Sequence, residues 1–180
     1  MATPPDFVAG SVLTAAQMNA IGAWEIASAS ATSGSTLAVN NCFTTDYDAY
    51  MIVLSNVKTS SGHAVTMTLG STTTGYYYSG MYIAYTATTY NGDVGANVAF
   101  WQAGTVGRTA NSSGGTIFIQ NPFLTERTTY QAVGSDPDTS GSPRWYNGFL
   151  NNTTSYTSIT FSAGANTFSS ITARVYGLRK

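Results

Sequence analysis

Ile171-Thr172-Ala173-Arg174-Val175-Tyr176 alternates apolar and polar side chains through its first five positions and ends on an amphipathic tyrosine. On an extended backbone successive side chains point to opposite faces. Ile171, Ala173 and Val175 therefore share one face, and Thr172, Arg174 and Tyr176 the other. The period of two predicts a strand with one face in a core. Working back along the chain, runs rich in β-branched and aromatic residues recur between clusters of Gly, Asn, Asp, Ser and Pro. They predict further strands near 24–29, 36–39, 49–57, 65–69, 77–85, 97–104, 116–121, 128–134, 144–150 and 156–162, with the last at 171–178. Residues 49–54 are nearly continuously apolar, which predicts a strand covered on both faces. Asn91-Gly92 carries the signal of a type I′ hairpin turn. Asp136-Pro137-Asp138-Thr139-Ser140-Gly141-Ser142-Pro143 reads as a loop. Short strands at this spacing predict an all-β fold, an antiparallel β-sandwich of jelly-roll-like form, over 23–180 as one domain.

Composition narrows the function. Apolar residues make up 43% of the 180, enough to fill a sizeable core. Charged residues make up only 8%, against roughly 25% in an ordinary soluble domain. Seven Lys and Arg against eight Asp and Glu leave a net charge of -1. Such a chain cannot build the basic stripe that neutralises phosphates, so nucleic acid is not expected as a partner. No run of 18 apolar residues is present, and no membrane insertion is expected. The first residues lack the positive start and apolar stretch of a signal peptide, so ordinary secretion is not indicated.

The first 22 residues read differently from the rest. Pro4-Pro5 enforces an extended backbone. Thr14 and Gln17 fit a capping box, Leu13 and Met18 a hydrophobic staple, and Gly22 a C-terminal stop. Together they predict a short helix over 15–21 behind an extended leader. A helix of that length is marginal in water by itself, so it must dock on something. The expected docking residues are Phe7, Val8, Val12, Leu13, Met18 and Ile21.

The chain offers little for catalysis. His63 is the only histidine, and no motif places an acid or a nucleophile beside it; it reads as a loop residue at a hairpin tip. Cys42 is the only cysteine, so no internal disulfide and no thiolate metal cluster is expected, and it reads as a small buried hydrophobe. Asp136-x-Asp138-x-Ser140-Gly141 resembles the opening of a calcium loop, but Asn147 stands where the closing acid belongs. Asp46 and Asp48 read as a turn and a strand entry rather than a glycosidase pair. No catalytic residue, cofactor or metal is expected. The tyrosines at 76, 77, 78, 82, 85 and 90 are the more informative cluster. Alternation sends Tyr76, Tyr78 and Tyr82 to one side and Tyr77 to the other. A ring with a polar tip suits a subunit interface or a sugar, and the three are expected to make an interface or glycan contact.

Three stretches carry a family resemblance. Phe7-Val8-Ala9-Gly10-Ser11-Val12-Leu13-Thr14-Ala15-Ala16-Gln17-Met18-Asn19 resembles the short N-terminal segment of many bacteriophage virion proteins, often of minor-tail or fibre type. Phe43-Thr44-Thr45-Asp46-Tyr47-Asp48-Ala49-Tyr50-Met51-Ile52-Val53, with Leu69-Gly70-Ser71-Thr72-Thr73-Thr74-Gly75-Tyr76-Tyr77, is similar to the β-rich part of the same group. So is the ending Ile171-Thr172-Ala173-Arg174-Val175-Tyr176-Gly177-Leu178. The resemblance implies a non-enzymatic structural protein on the virion exterior. Residues 1–22 would dock it to other virion proteins of capsid or tail, with a homo-oligomer, preferably a trimer, behind. A tail-fibre or minor-tail role in host attachment leads, with a host surface glycan as a further partner. Capsid decoration, or a head fibre, is the alternative, and a carbohydrate-binding module a third reading.

Overall fold

Twelve strands form in the computed structural model, which describes residues 23–178. The expected helix over 15–21 and the docking residues Phe7, Val8, Val12, Leu13, Met18 and Ile21 lie outside the described residues. In chain order the strands are β1 (Ala23–Ala31), β2 (Thr36–Val39), β3 (Ala49–Thr59), β4 (His63–Leu69), β5 (Tyr76–Tyr82) and β6 (Asn91–Val98). They continue with β7 (Trp101–Gly107), β8 (Ser113–Gln120), β9 (Thr129–Ser135), β10 (Pro143–Leu150), β11 (Ile159–Ser162) and β12 (Phe168–Leu178). Eight of them make one antiparallel sheet in the order β1-β12-β3-β8-β9-β10-β5-β6, and four make a second in the order β2-β11-β4-β7. The architecture is a β-sandwich of two unequal sheets, larger than the eight strands of a jelly roll.

Alternation decides which face of each strand is inside. Tyr50, Ile52 and Leu54 on β3, with Ile171, Ala173 and Val175 on β12, turn inward from the large sheet and are fully buried. Val65, Met67 and Leu69 on β4 meet them from the small sheet. Trp101 at the start of β7 bridges the layers. Its ring stacks on Tyr130 at 4.4 Å, meets the edge of Tyr76 at 5.0 Å, and its Nε1–H donates to the Tyr77 carbonyl at 3.2 Å.

Several expectations are corrected by the packing. The run over 49–54 is not covered equally on both faces: Tyr50, Ile52 and Leu54 are buried, whereas Ala49, Met51 and Val53 stay half-exposed. Past Leu54 the strand changes parity. Asn56 takes φ 53°, the left-handed region that Asn tolerates, and makes a bulge against β8. The extra residue lets Val57 and Thr59 return to the inside, where strict alternation would have put Asn56. Asn91-Gly92 is not a turn. Neither residue has positive φ, as type I′ demands of both, and they pair with Tyr82 and Met81 as the start of β6. The connection instead runs over 83–90, so Tyr85 belongs to a loop and not to a strand. The single strand expected over 97–104 divides: Asn97, at φ 56°, and Val98 end β6, where the register against β5 shifts, and the chain resumes at Trp101 as β7 in the other sheet. His63 is the first residue of β4, and the turn before it crosses between sheets rather than closing a hairpin.

Candidate functional site: the outer face of the large sheet

The sites expected from sequence come first. Tyr76, Tyr78 and Tyr82 do share one face of β5, but it is the inner one. Tyr76 has no solvent exposure, and its hydroxyl accepts the Leu69 N–H at 2.8 Å and donates to the Thr72 carbonyl at 3.2 Å. Burial raises its pKa. Tyr76 is therefore a core residue, and the expectation that it makes an interface or glycan contact is corrected: the small sheet and Trp101 cover it. Tyr78 and Tyr82 are half-buried near the rim of the same face. Tyr78 meets the edge of Tyr146 at 5.9 Å, and Tyr82 lies under the Arg144 guanidinium, 4.7 Å from ring centroid to carbon. Tyr146 donates to the Asp93 carboxylate at 3.0 Å, and burial raises its pKa. This cluster ties β5, β6 and β10 together.

The acids have structural work. Arg108, just past β7, grips Asp136 with two parallel bonds, Nε to Oδ1 at 2.7 Å and Nη2 to Oδ2 at 2.6 Å. Asp136 is only 5% exposed on its side chain and Arg108 30%, so water screens the pair weakly. Asp138 accepts the Ser140 N–H, which with the Arg108 charge holds its carboxyl below the usual range. The loop that resembled a calcium site is thus closed by an arginine. Among the described residues no group of three or more His, Cys, Asp or Glu side chains comes together. His63 packs its ring against Gly164. Asp46 is exposed and Asp48 half-buried in the turn before β3. That turn is anchored by Tyr50, whose hydroxyl accepts the Thr44 N–H at 2.9 Å and lies 2.9 Å from the Thr44 carbonyl and 3.1 Å from that of Tyr47. Cys42 is buried, its thiol donates to the Val39 carbonyl at 3.3 Å, and desolvation pushes its pKa up to about 12.

Sequence reasoning missed the feature that stands out on the surface, the outer face of the eight-stranded sheet. Strand register sets residues from distant parts of the chain side by side in rows. One row runs Met51, Phe118, Gln131, Asn147, Ser79 and Val94, across β3, β8, β9, β10, β5 and β6. The next runs Val53, Thr116, Val133, Trp145, Met81 and Gly92. A third places Tyr77 flat on Phe149, the planes 1° apart and the centroids 5.0 Å, with the Arg127 guanidinium over Phe149 at 5.6 Å. Between the first and third rows a shallow hollow of about 230 Å³ is lined by Phe118, Gln120, Thr129, Gln131, Asn147 and Gly148 together with Tyr130. Its rim offers an aromatic ring, three carboxamides and a hydroxyl, all uncharged. Apart from Lys58 at the far end of β3, no outward position on these six strands is charged. The only signal for this face in the sequence was the solvent-side half of each alternation, which includes Phe118, Val133, Trp145 and Met81 where polar residues are usual.

No protein-family model matches the chain, and neither a curated protein nor a solved structure matches it at a significant level.

Proposed function

We propose that this chain is a non-enzymatic structural protein of a bacteriophage particle, exposed on its exterior and of tail-fibre or minor-tail type, contributing to host attachment. In this reading residues 1–22 dock the chain to other virion proteins, and the sandwich projects outward in several copies. The observation that carries the binding role is the outer face of the large sheet over β3, β8, β9, β10, β5 and β6, where Lys58 is the one charged outward strand position and aromatic and aliphatic side chains stand where a freely diffusing domain places charges. The placement on a virion rests on the resemblance of the leader, the 43–53 block and the ending. The test is gold-labelled antibody on purified particles. A few copies at the tail support the reading, a dense cover of the head supports capsid decoration, and no label on any particle refutes both.

The hollow beside Phe118 favours a second reading, a carbohydrate-binding module. Carboxamides offer donor and acceptor together, as vicinal sugar hydroxyls require, and an aromatic ring offers a stacking surface. A glycan array probed with the full chain tests it. Binding that is lost in Asn147→Ala and Gln131→Ala supports it, and an array without hits refutes it.

A further inference from the structure

Five large apolar side chains on one sheet face remain in water: Val94 is 74% exposed, Met81 and Val133 each 50%, Phe118 43% and Trp145 38%. Val133, Trp145 and Met81 are direct cross-strand neighbours, so they form one continuous band. Phe118 joins it on the diagonal from Val133, and Val94 on the diagonal from Met81. Scattered exposed apolar residues need no explanation, but a contiguous patch does.

We infer that this outer face is the surface through which copies of the chain associate with one another. Three observations single out a second copy as the occupant. The first is charge. Interface cores are depleted in charged residues and enriched in aromatic residues and Met, which matches the outward positions from β3 to β6. A basic or acidic partner would find no complement within the apolar band itself, since Lys58, Arg127 and Arg174 lie outside it. The second is area. Six strands about 4.8 Å apart, five of them seven or eight residues long and β3 eleven, present roughly 700 Å² at about 3.4 Å rise over their shared length. A stable interface takes about 800 Å² from each partner, so this one face nearly suffices. The third is shape. The face belongs to a twisted sheet, and two sheets of the same hand pack aligned, side chains interdigitating. A copy of the same face has the required twist. The inference rests on the proposal that the chain works in several copies, and does not depend on its placement on a virion.

The experiment is light scattering of the full chain over a dilution series. The expected mass is a multiple of 18.9 kDa at high concentration. Val133→Arg and Trp145→Arg, each outward and exposed, should give 18.9 kDa with an unchanged circular dichroism spectrum. Ala38→Arg, exposed on β2 of the other sheet, should leave the wild-type mass. A second measurement needs no substitution. Peroxide should oxidise Met81 slowly in the assembled protein and several-fold faster on dilution, while buried Met67 resists throughout. A wild-type mass of 18.9 kDa at every concentration would overturn the inference. Protection of Met81 in that monomer only when a neutral oligosaccharide is added would give the face to sugar, and protection at all dilutions would give it to cover from within the chain. Retention of the wild-type mass by Val133→Arg, with Met81 oxidised as in wild type, would also overturn it. Particle labelling is separate: loss of self-association leaves a tail location standing, and absence from particles leaves the self-association standing.

Discussion

Raising the pH from 9 to 11 should remove a large part of this protein's stability, and the reason lies in its buried phenols and thiol. Tyr76, Tyr130 and Tyr146 are almost wholly out of water, and desolvation raises the pKa of each above the ordinary 10.0. Tyr130 and Tyr146 also sit near the Asp93 carboxylate, which opposes a second negative charge. Cys42 is pushed from 9.0 to about 12 by burial. All four shifts are upward, so the native state holds the neutral forms and the unfolded state releases protons first. The stabilisation is complete below about pH 8, is lost first through Cys42 above its unfolded value of 9.0 and then through the tyrosines above 10.0, and goes on falling until the raised native values are passed. At pH 11 each of the three tyrosines would favour the unfolded chain by about 1.4 kcal/mol, or about 4 kcal/mol together. Cys42, whose unfolded value of 9.0 lies two units below pH 11, adds about 3 kcal/mol. The sum, about 7 kcal/mol, is comparable with the whole stability of a domain, about 5–15 kcal/mol. The assay is tyrosinate absorbance followed together with circular dichroism. Exposed tyrosines such as Tyr85 and Tyr90 should titrate first with the sheet signal intact. The buried ones should follow in a steep step that coincides with loss of the sheet. If all twelve tyrosines titrate in one smooth curve centred near 10.0 while the sheet persists, the burial argument is wrong.

Three further outcomes follow from single contacts. Tyr50→Phe leaves the Thr44 N–H without its hydroxyl acceptor and should cost about 1–3 kcal/mol in urea unfolding; a change too small to resolve would mean water replaces the hydroxyl. Asp136→Asn leaves Arg108 gripping a neutral amide and should cost about 3 kcal/mol. In a double-mutant cycle with Arg108→Met the two losses should be far from additive, and additive losses would deny the coupling. Cys42 should react with a thiol reagent at pH 8 only as fast as the chain opens, so its labelling rate should rise in step with denaturant; prompt labelling of the native protein would place the thiol at the surface.

Much of the strand pattern was legible because alternation is local. Thr36–Val39 carries its burial in neighbouring residues, as do β10 and the Ile171–Tyr176 segment. The misreadings all involve a local signal overruled by pairing. Asn91-Gly92 has the composition of a tight turn, yet ladder partners on β5 hold it extended. Asn56 looks like any polar residue in a strand, yet it absorbs a change of parity. Tyr76, Tyr78 and Tyr82 were rightly placed on a common side, but alternation says only that two sides differ and not which one meets the second sheet.

From the sequence alone came an all-β domain, poor in charge, with the two faces told apart in strands such as Ile171–Tyr176. These follow from side-chain chemistry at a spacing of two residues, which no distant contact alters. Tertiary structure decided the rest: which strands share a sheet, that Arg108 and Asp136 meet, and that Val133, Trp145 and Met81 line up into one apolar band. Those groupings depend on strand pairings across gaps of tens of residues, and a ladder of backbone hydrogen bonds reads nearly the same whatever side chains it carries.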